Sequence, residues 1–212
     1  MNRPLPKVSF FLATALAALA LSGTGALALD LGGHDRDGVT IGVAMGAGWN
    51  KMDFSIPTTG GDVLQYETAT TVDFQGGINV GWARSDHLMG TIGFYGWKEG
   101  GWVGGGNPLT VTTFHFLAEA YLFPRGQGFW LKGGVGAGTL DFTAVTSAER
   151  ITFQEGGWNF VAGAGYEFRV ADTAAIGFAY DYRYLTVGAF EGLEDTSVSS
   201  QNASMSIRYY MD

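Results

Sequence analysis

Residues 114–138 read Phe-His-Phe-Leu-Ala-Glu-Ala-Tyr-Leu-Phe-Pro-Arg-Gly-Gln-Gly-Phe-Trp-Leu-Lys-Gly-Gly-Val-Gly-Ala-Gly. Two runs with a period of two flank a turn at residues 124–127. On the first run Phe114, Phe116, Ala118, Ala120 and Leu122 share one face, and His115, Glu119 and Tyr121 share the other. On the second, Phe129, Leu131, Gly133, Val135 and Ala137 alternate with Trp130, Lys132, Gly134, Gly136 and Gly138. A strand turns successive side chains to opposite faces, so the stretch predicts a β-hairpin. One face is apolar. The other mixes charge with glycine, which a water-soluble sheet seldom encloses.

The rest of the chain repeats this pattern. Gly is 34 of 212 residues, aromatics are 14%, Pro is 5 and Cys is absent. The glycines alternate within β-like runs and do not cluster as in a linker. Eight strands are expected, near 39–49, 70–82, 88–97, 114–122, 129–138, 158–169, 175–185 and 201–211. Parity is least clean in 88–97. Short connections at 83–87, 124–127 and 170–174 alternate with long ones at 51–67, 98–108, 140–156 and 186–199. In an antiparallel meander this puts every long loop at one end.

A sheet in hydrocarbon must close on itself, because no backbone group there can go unpaired. Runs of about ten tilted residues cross such a membrane. The fold expected is therefore all-β, an eight-stranded antiparallel up-and-down transmembrane barrel with short periplasmic turns and long extracellular loops. Its apolar face meets lipid. Trp82, Phe129, Tyr166, Phe168 and Tyr209 are expected as an aromatic girdle at the short-turn end. Trp49, Phe114, Phe160, Tyr182 and Tyr184 are expected as one at the loop end.

Residues 1–28 have the make-up of a cleaved signal peptide: Arg3 and Lys7, an apolar core over 8–21, and Ala26-Leu27-Ala28 as the cleavage pattern. Residues 29–37 are then a short periplasmic segment and 38–212 the barrel. Cleavage removes two of the 12 bases and none of the 20 acids, so the formal charge falls from −8 to −10. A chain this acidic lacks the basic face that nucleic acid requires, and no nucleic-acid partner is expected.

Several stretches resemble the small eight-stranded outer-membrane β-barrel proteins of Gram-negative bacteria. They are Ala-Glu-Ala-Tyr-Leu-Phe-Pro at 118–124, Gly-Gly-Val-Gly-Ala-Gly at 133–138, Gly-Ala-Gly-Tyr-Glu-Phe-Arg at 163–169 and Ser-Ile-Arg-Tyr-Tyr at 206–210. The resemblance covers the chain from about Leu29 onward. It implies residence in the outer membrane, contact with its lipid and lipopolysaccharide, handling by the barrel-insertion machinery and a monomeric state. Such barrels usually end on an aromatic residue, whereas this chain ends Tyr209-Tyr210-Met211-Asp212.

Eight strands leave an interior that side chains can fill. Inward charges are expected at Asp73, Glu119, Glu167 and Asp181 against Lys132, Arg169, Arg183 and Arg208. A turn at 124–127 sets Glu119 opposite Lys132. Balanced charge favours a plug of ion pairs over a conducting pore. Facing lipid at mid-bilayer, an arginine would cost about 2–4 kcal/mol.

The histidines are scattered. His34 lies in His-Asp-Arg-Asp, His87 in a short turn and His115 within a strand. Neither a metal nor a cofactor is expected, and Ser85-Asp86-His87 are too close in sequence for a relay. A lipid A-modifying enzyme would draw on His115, Thr113 and Glu99. The preferred expectation is a non-enzymatic barrel that supports the envelope or presents loops for adhesion to an extracellular ligand. The alternative is a narrow channel for small or apolar molecules.

Overall fold

The computed structural model describes residues 36–57, 63–67, 71–103, 107–125, 128–145, 150–188 and 194–211. The expected signal peptide and His34 lie outside the described residues.

The strands are β1 (Gly38–Pro57), β2 (Val63–Glu67), β3 (Thr71–Ser85), β4 (Leu88–Val103), β5 (Asn107–Leu122), β6 (Phe129–Val145), β7 (Arg150–Ala171), β8 (Ala174–Val187) and β9 (Glu194–Met211). From β3 to β9 each strand pairs antiparallel with the next, β1 pairs β3, and β1 also pairs β9, which closes the barrel. Eight strands form the wall. The short β2 pairs only the far end of β1, from Asp53↔Glu67 to Pro57↔Val63.

Much of the expected loop sequence is β-ladder. β6 and β7 pair out to Val145↔Arg150, and β4 and β5 pair out to Val103↔Asn107. The stretches expected as loops at 98–108 and 140–156 contain strand-favouring Val, Thr, Ile and Phe residues. The expected limits followed the apolar face, but pairing continues where lipid no longer selects it.

The opposite end has short turns at 86–87 and 172–173. Register shifts between Ala83 and Ser85, and between Arg169 and Ala171, sit just before these turns. A bulge at a barrel rim tightens the local twist and ends pairing.

Alternation is clean around the wall. Ile41, Val43, Phe74, Ile78, Phe94, Phe116, Val135, Phe178 and Tyr209 are exposed on the outer face. β4 also alternates cleanly, with Met89, Thr91, Tyr95 and Trp97 buried and Ile92 and Phe94 exposed. Such a surface is unfavourable in water and suits hydrocarbon. Of the expected girdle residues, Trp49, Trp82, Phe114, Phe129, Phe160, Tyr182, Tyr184 and Tyr209 are exposed outward. Tyr166 and Phe168 are half-buried, their rings 4.6 Å apart.

Candidate functional site in the barrel lumen

The inward side chains stack in layers from the turn end to the loop end. At the turn end Glu167 is the centre. Its Oε1 accepts from Arg36 Nε at 2.9 Å and from the Tyr210 hydroxyl at 2.7 Å, and its Oε2 accepts from Arg208 Nη1 at 3.0 Å. Arg36 falls within the expected periplasmic segment, yet it is buried. Gly38, at φ 85°, turns the chain, and Asp37 Oδ1 accepts from the Gly38 amide. Only glycine takes that backbone angle freely. Beyond this turn Arg36 lies 3.9 Å above the Phe123 ring, and its backbone N–H donates to Asp86 Oδ1 at 2.9 Å. Arg169 stacks 3.8 Å from the Tyr210 ring and donates to the Asp172 carbonyl at 2.7 Å.

At mid-barrel Lys132 Nζ lies 3.1 Å from Glu119 Oε1 and 3.3 Å from Asp181 Oδ2. Glu119 Oε2 accepts from the hydroxyls of Tyr95 at 2.5 Å, Thr91 at 3.2 Å and Tyr121 at 3.2 Å. Asp181 Oδ1 accepts from Asn202 Nδ2 at 3.1 Å and has Arg183 Nε at 3.0 Å. The Arg183 guanidinium covers the Tyr95 ring at 4.3 Å. A Cβ on Gly77 or Gly93 would strike that ring, so these glycines make room for it. Arg208 lies 4.8 Å from the Tyr121 ring and links this layer to the one below.

Toward the loop end charge gives way to amides. Asn50, Gln75, Asn159 and Asn202 are buried there, and Asn79 is buried at mid-barrel, opposite Gly42 on β1. His115 bonds Asn159 through one ring nitrogen and Thr113 Oγ1, at 3.1 Å, through the other. Above them Met52, Trp97, Val111, Leu140, Leu185, Val187 and Val198 form an apolar cluster across the lumen.

The structure thus groups Glu119, Lys132, Asp181 and Arg183 in one cluster, and Glu167, Arg169 and Arg208 around Tyr210 in another. Asp73, near the loop end of β3, is half-buried and accepts from Asn50 Nδ2 at 3.4 Å. One expectation is corrected. Glu119 pairs with Gly134, and Lys132 pairs with Tyr121. The connection is two residues longer than the Pro124 turn suggested, so the contact of Glu119 with Lys132 is diagonal, within reach of long side chains.

Arg36, Tyr95 and Tyr210 join this interior network in addition to the expected charges. Tyr95 and Tyr210 have inward parity in their strands, which was the available signal. Arg36 precedes the first strand, and no periodicity reaches it. Ser85, Asp86 and His87 form a turn whose Asp86 holds Arg36, while His87 Nδ1 lies 2.9 Å from the Phe123 carbonyl.

The fold has known counterparts. The attachment invasion locus protein Ail of Yersinia pestis, solved with the heparin analogue sucrose octasulfate, is 13% identical, with 81% of this chain and 99% of that chain covered and a TM-score of 0.52. Neisserial surface protein A is 14% identical, with 82% and 100% covered and a TM-score of 0.52. The outer membrane protease OmpT of Escherichia coli is 8% identical, with 89% and 100% covered and a TM-score of 0.50. At these identities the likeness is one of fold. No curated relative matches the chain at a significant level. The family model for the outer membrane protein beta-barrel domain matches residues 13–210. With the closed barrel and its apolar exterior, that match places the chain in this family, as an integral protein of the outer membrane.

Proposed function

We propose that the chain is a filled, non-enzymatic barrel that supports the envelope or presents its loop-end hairpins to an extracellular ligand. The observation that carries this reading is the packing of the lumen: two ion-pair clusters, an amide layer and an apolar cluster in series. An aqueous pore needs a continuous polar path, and the apolar cluster interrupts one. His115 is 2% exposed, with its ring nitrogens on Asn159 and Thr113, which disfavours the lipid A-modifying alternative. In this reading residues 1–28 are the cleaved signal peptide and 29–37 a periplasmic segment. The aromatic residues of the outer face form the two girdles. The monomeric barrel meets lipid and lipopolysaccharide and is placed by the insertion machinery.

A polysulfated ligand like that seen with Ail is a poor match here. The loop-end sequence holds Asp62, Glu67, Glu99, Asp141, Glu149, Glu155, Glu191, Glu194 and Asp195. Such a surface repels polyanions and favours a cationic partner or cation-bridged lipopolysaccharide.

Liposomes containing the pure protein test the filled lumen. Small solutes are expected to leak no faster than from protein-free vesicles, and fast leakage would establish the channel alternative. Replacing residues 146–149 and 189–193 with Gly-Ser tests adhesion. Surface binding should disappear while the barrel still inserts, and retained binding removes the adhesion role.

A further inference from the structure

Between the mid-barrel charge cluster and the amide layer lies a cavity of about 10 Å³, lined in part by Gln75, Tyr95, Arg183 and Ser204. A space of this size holds one small occupant. Both amide atoms of Gln75 and the Arg183 Nη1 atom are buried and have no hydrogen-bond partner among the described residues. Gln75 and Arg183 are each 3% exposed. Arg183 Nε lies 3.0 Å from Asp181 Oδ1, but out of line for a hydrogen bond. A buried guanidinium with unused donors is costly.

We propose that this cavity is a site for a single monatomic anion, chloride under saline conditions, held by Arg183 Nη1 and the Gln75 amide N–H. Three observations favour an anion over water. The first is the donor set: a cation and an amide point at one space, and no carboxylate is among the lining residues. The second is charge. Among the described residues the buried ionic side chains are Arg36, Lys132, Arg169, Arg183 and Arg208 against Glu119, Glu167 and Asp181. Of the half-buried acids, Asp86 sits at the turn end with Arg36, and Asp73 accepts from Asn50 and is not among the residues lining the cavity. The third is saturation. Glu119 already accepts from Lys132 and three hydroxyls, and Asp181 is shared by Lys132, Asn202 and Arg183. Arg183 therefore has no private counterion. A bound halide supplies one and also takes the donor that Gln75 leaves unused. The Ser204 hydroxyl lines the same space and can turn to donate.

Crystals of the full barrel grown in bromide test the site. An anomalous peak within hydrogen-bonding reach of Arg183 Nη1 is expected. A water there with no anomalous signal overturns the proposal, as does a bromide peak that survives in Arg183→Gln. Thermal unfolding in detergent gives a second readout. Sodium bromide should raise the wild-type midpoint saturably relative to sodium gluconate at equal ionic strength. Gln75→Leu, which keeps every ion pair, should lose that shift. An equal shift in Gln75→Leu and wild type would mean general salt action and overturn the assignment.

Discussion

The turn-end half of the lumen and its loop-end half solve the same problem in different ways. Both must fill the inside of a narrow barrel with polar strand faces. In the turn-end half each buried carboxylate meets several donors: Glu167 binds Arg36, Arg208 and Tyr210, and Glu119 binds Lys132, Tyr95, Tyr121 and Thr91. In the loop-end half the side-chain oxygens of Asn50, Asn159 and Asn202 have no hydrogen-bond partner among the described residues, and an apolar cluster lies above them. A buried carboxylate demands full pairing and punishes its loss. Amides tolerate incomplete pairing, because an unmet carbonyl oxygen costs far less than an unmet ion. The charged half therefore fixes the geometry of the barrel, and the amide half fills it.

That difference predicts a gradient of mutational effects. The largest is expected at Lys132, which pairs with both Glu119 and Asp181. Lys132→Met leaves two carboxylates in the same layer with fewer counterions. Breaking a buried pair in this way costs about 3–5 kcal/mol. Urea unfolding in lipid vesicles should show the loss, and Glu119→Gln added to Lys132→Met should recover part of it. A shift as small as that of an exposed lysine would show that the cluster does not hold the strands together.

Arg36 comes next. Arg36→Ala removes one of the three donors to Glu167 seen among the described residues, and Arg208 and Tyr210 remain. Hydrogen bonds to charged groups contribute about 1.5–3 kcal/mol, and the retained partners place this loss near the lower end, about 1.5 kcal/mol. Arg36→Lys should not restore it. Only the planar guanidinium can stack on Phe123 while reaching both Glu167 and the Asp86 carbonyl. A lysine variant with wild-type unfolding in urea would reduce Arg36 to a simple point charge.

These two residues also mark what the sequence made legible. Lys132 could be assigned inward because lipid and lumen impose opposite chemistry on alternate positions, and each strand carries that record. Its partner in the ladder could not. Register depends on where pairing stops, and Pro124 suggested a turn two residues tighter than the connection from Leu122 to Leu131. Arg36 was invisible for a different reason. Its burial follows from the backbone turn at Gly38 and a ring 87 positions away at Phe123, and neither is a periodic signal. The strand ends were hidden because pairing above the membrane needs no apolar face. Tyr95 was within reach, since β4 alternates once Gly93 is read as an inward position that makes room for the ring.

The smallest effect is expected at Asn79. Its side-chain oxygen is buried with no hydrogen-bond partner among the described residues, although it lies at mid-barrel, opposite Gly42. Asn79→Leu removes that unmet acceptor and keeps a side chain of comparable length. Replacing a poorly satisfied polar group with an apolar one of similar shape is close to neutral, so a change within about 1 kcal/mol of wild type is expected. Gly42, across the ladder from Asn79, supplies the room the new side chain needs. Urea unfolding in the same vesicles makes the comparison direct. If Asn79→Leu cost as much as Lys132→Met, the buried amides would be satisfied by internal water, and amides and charges in the lumen would follow one rule. If it is neutral, the ion-pair clusters specify the barrel, and the uncharged amides of the lumen are free to vary while the wall stays the same.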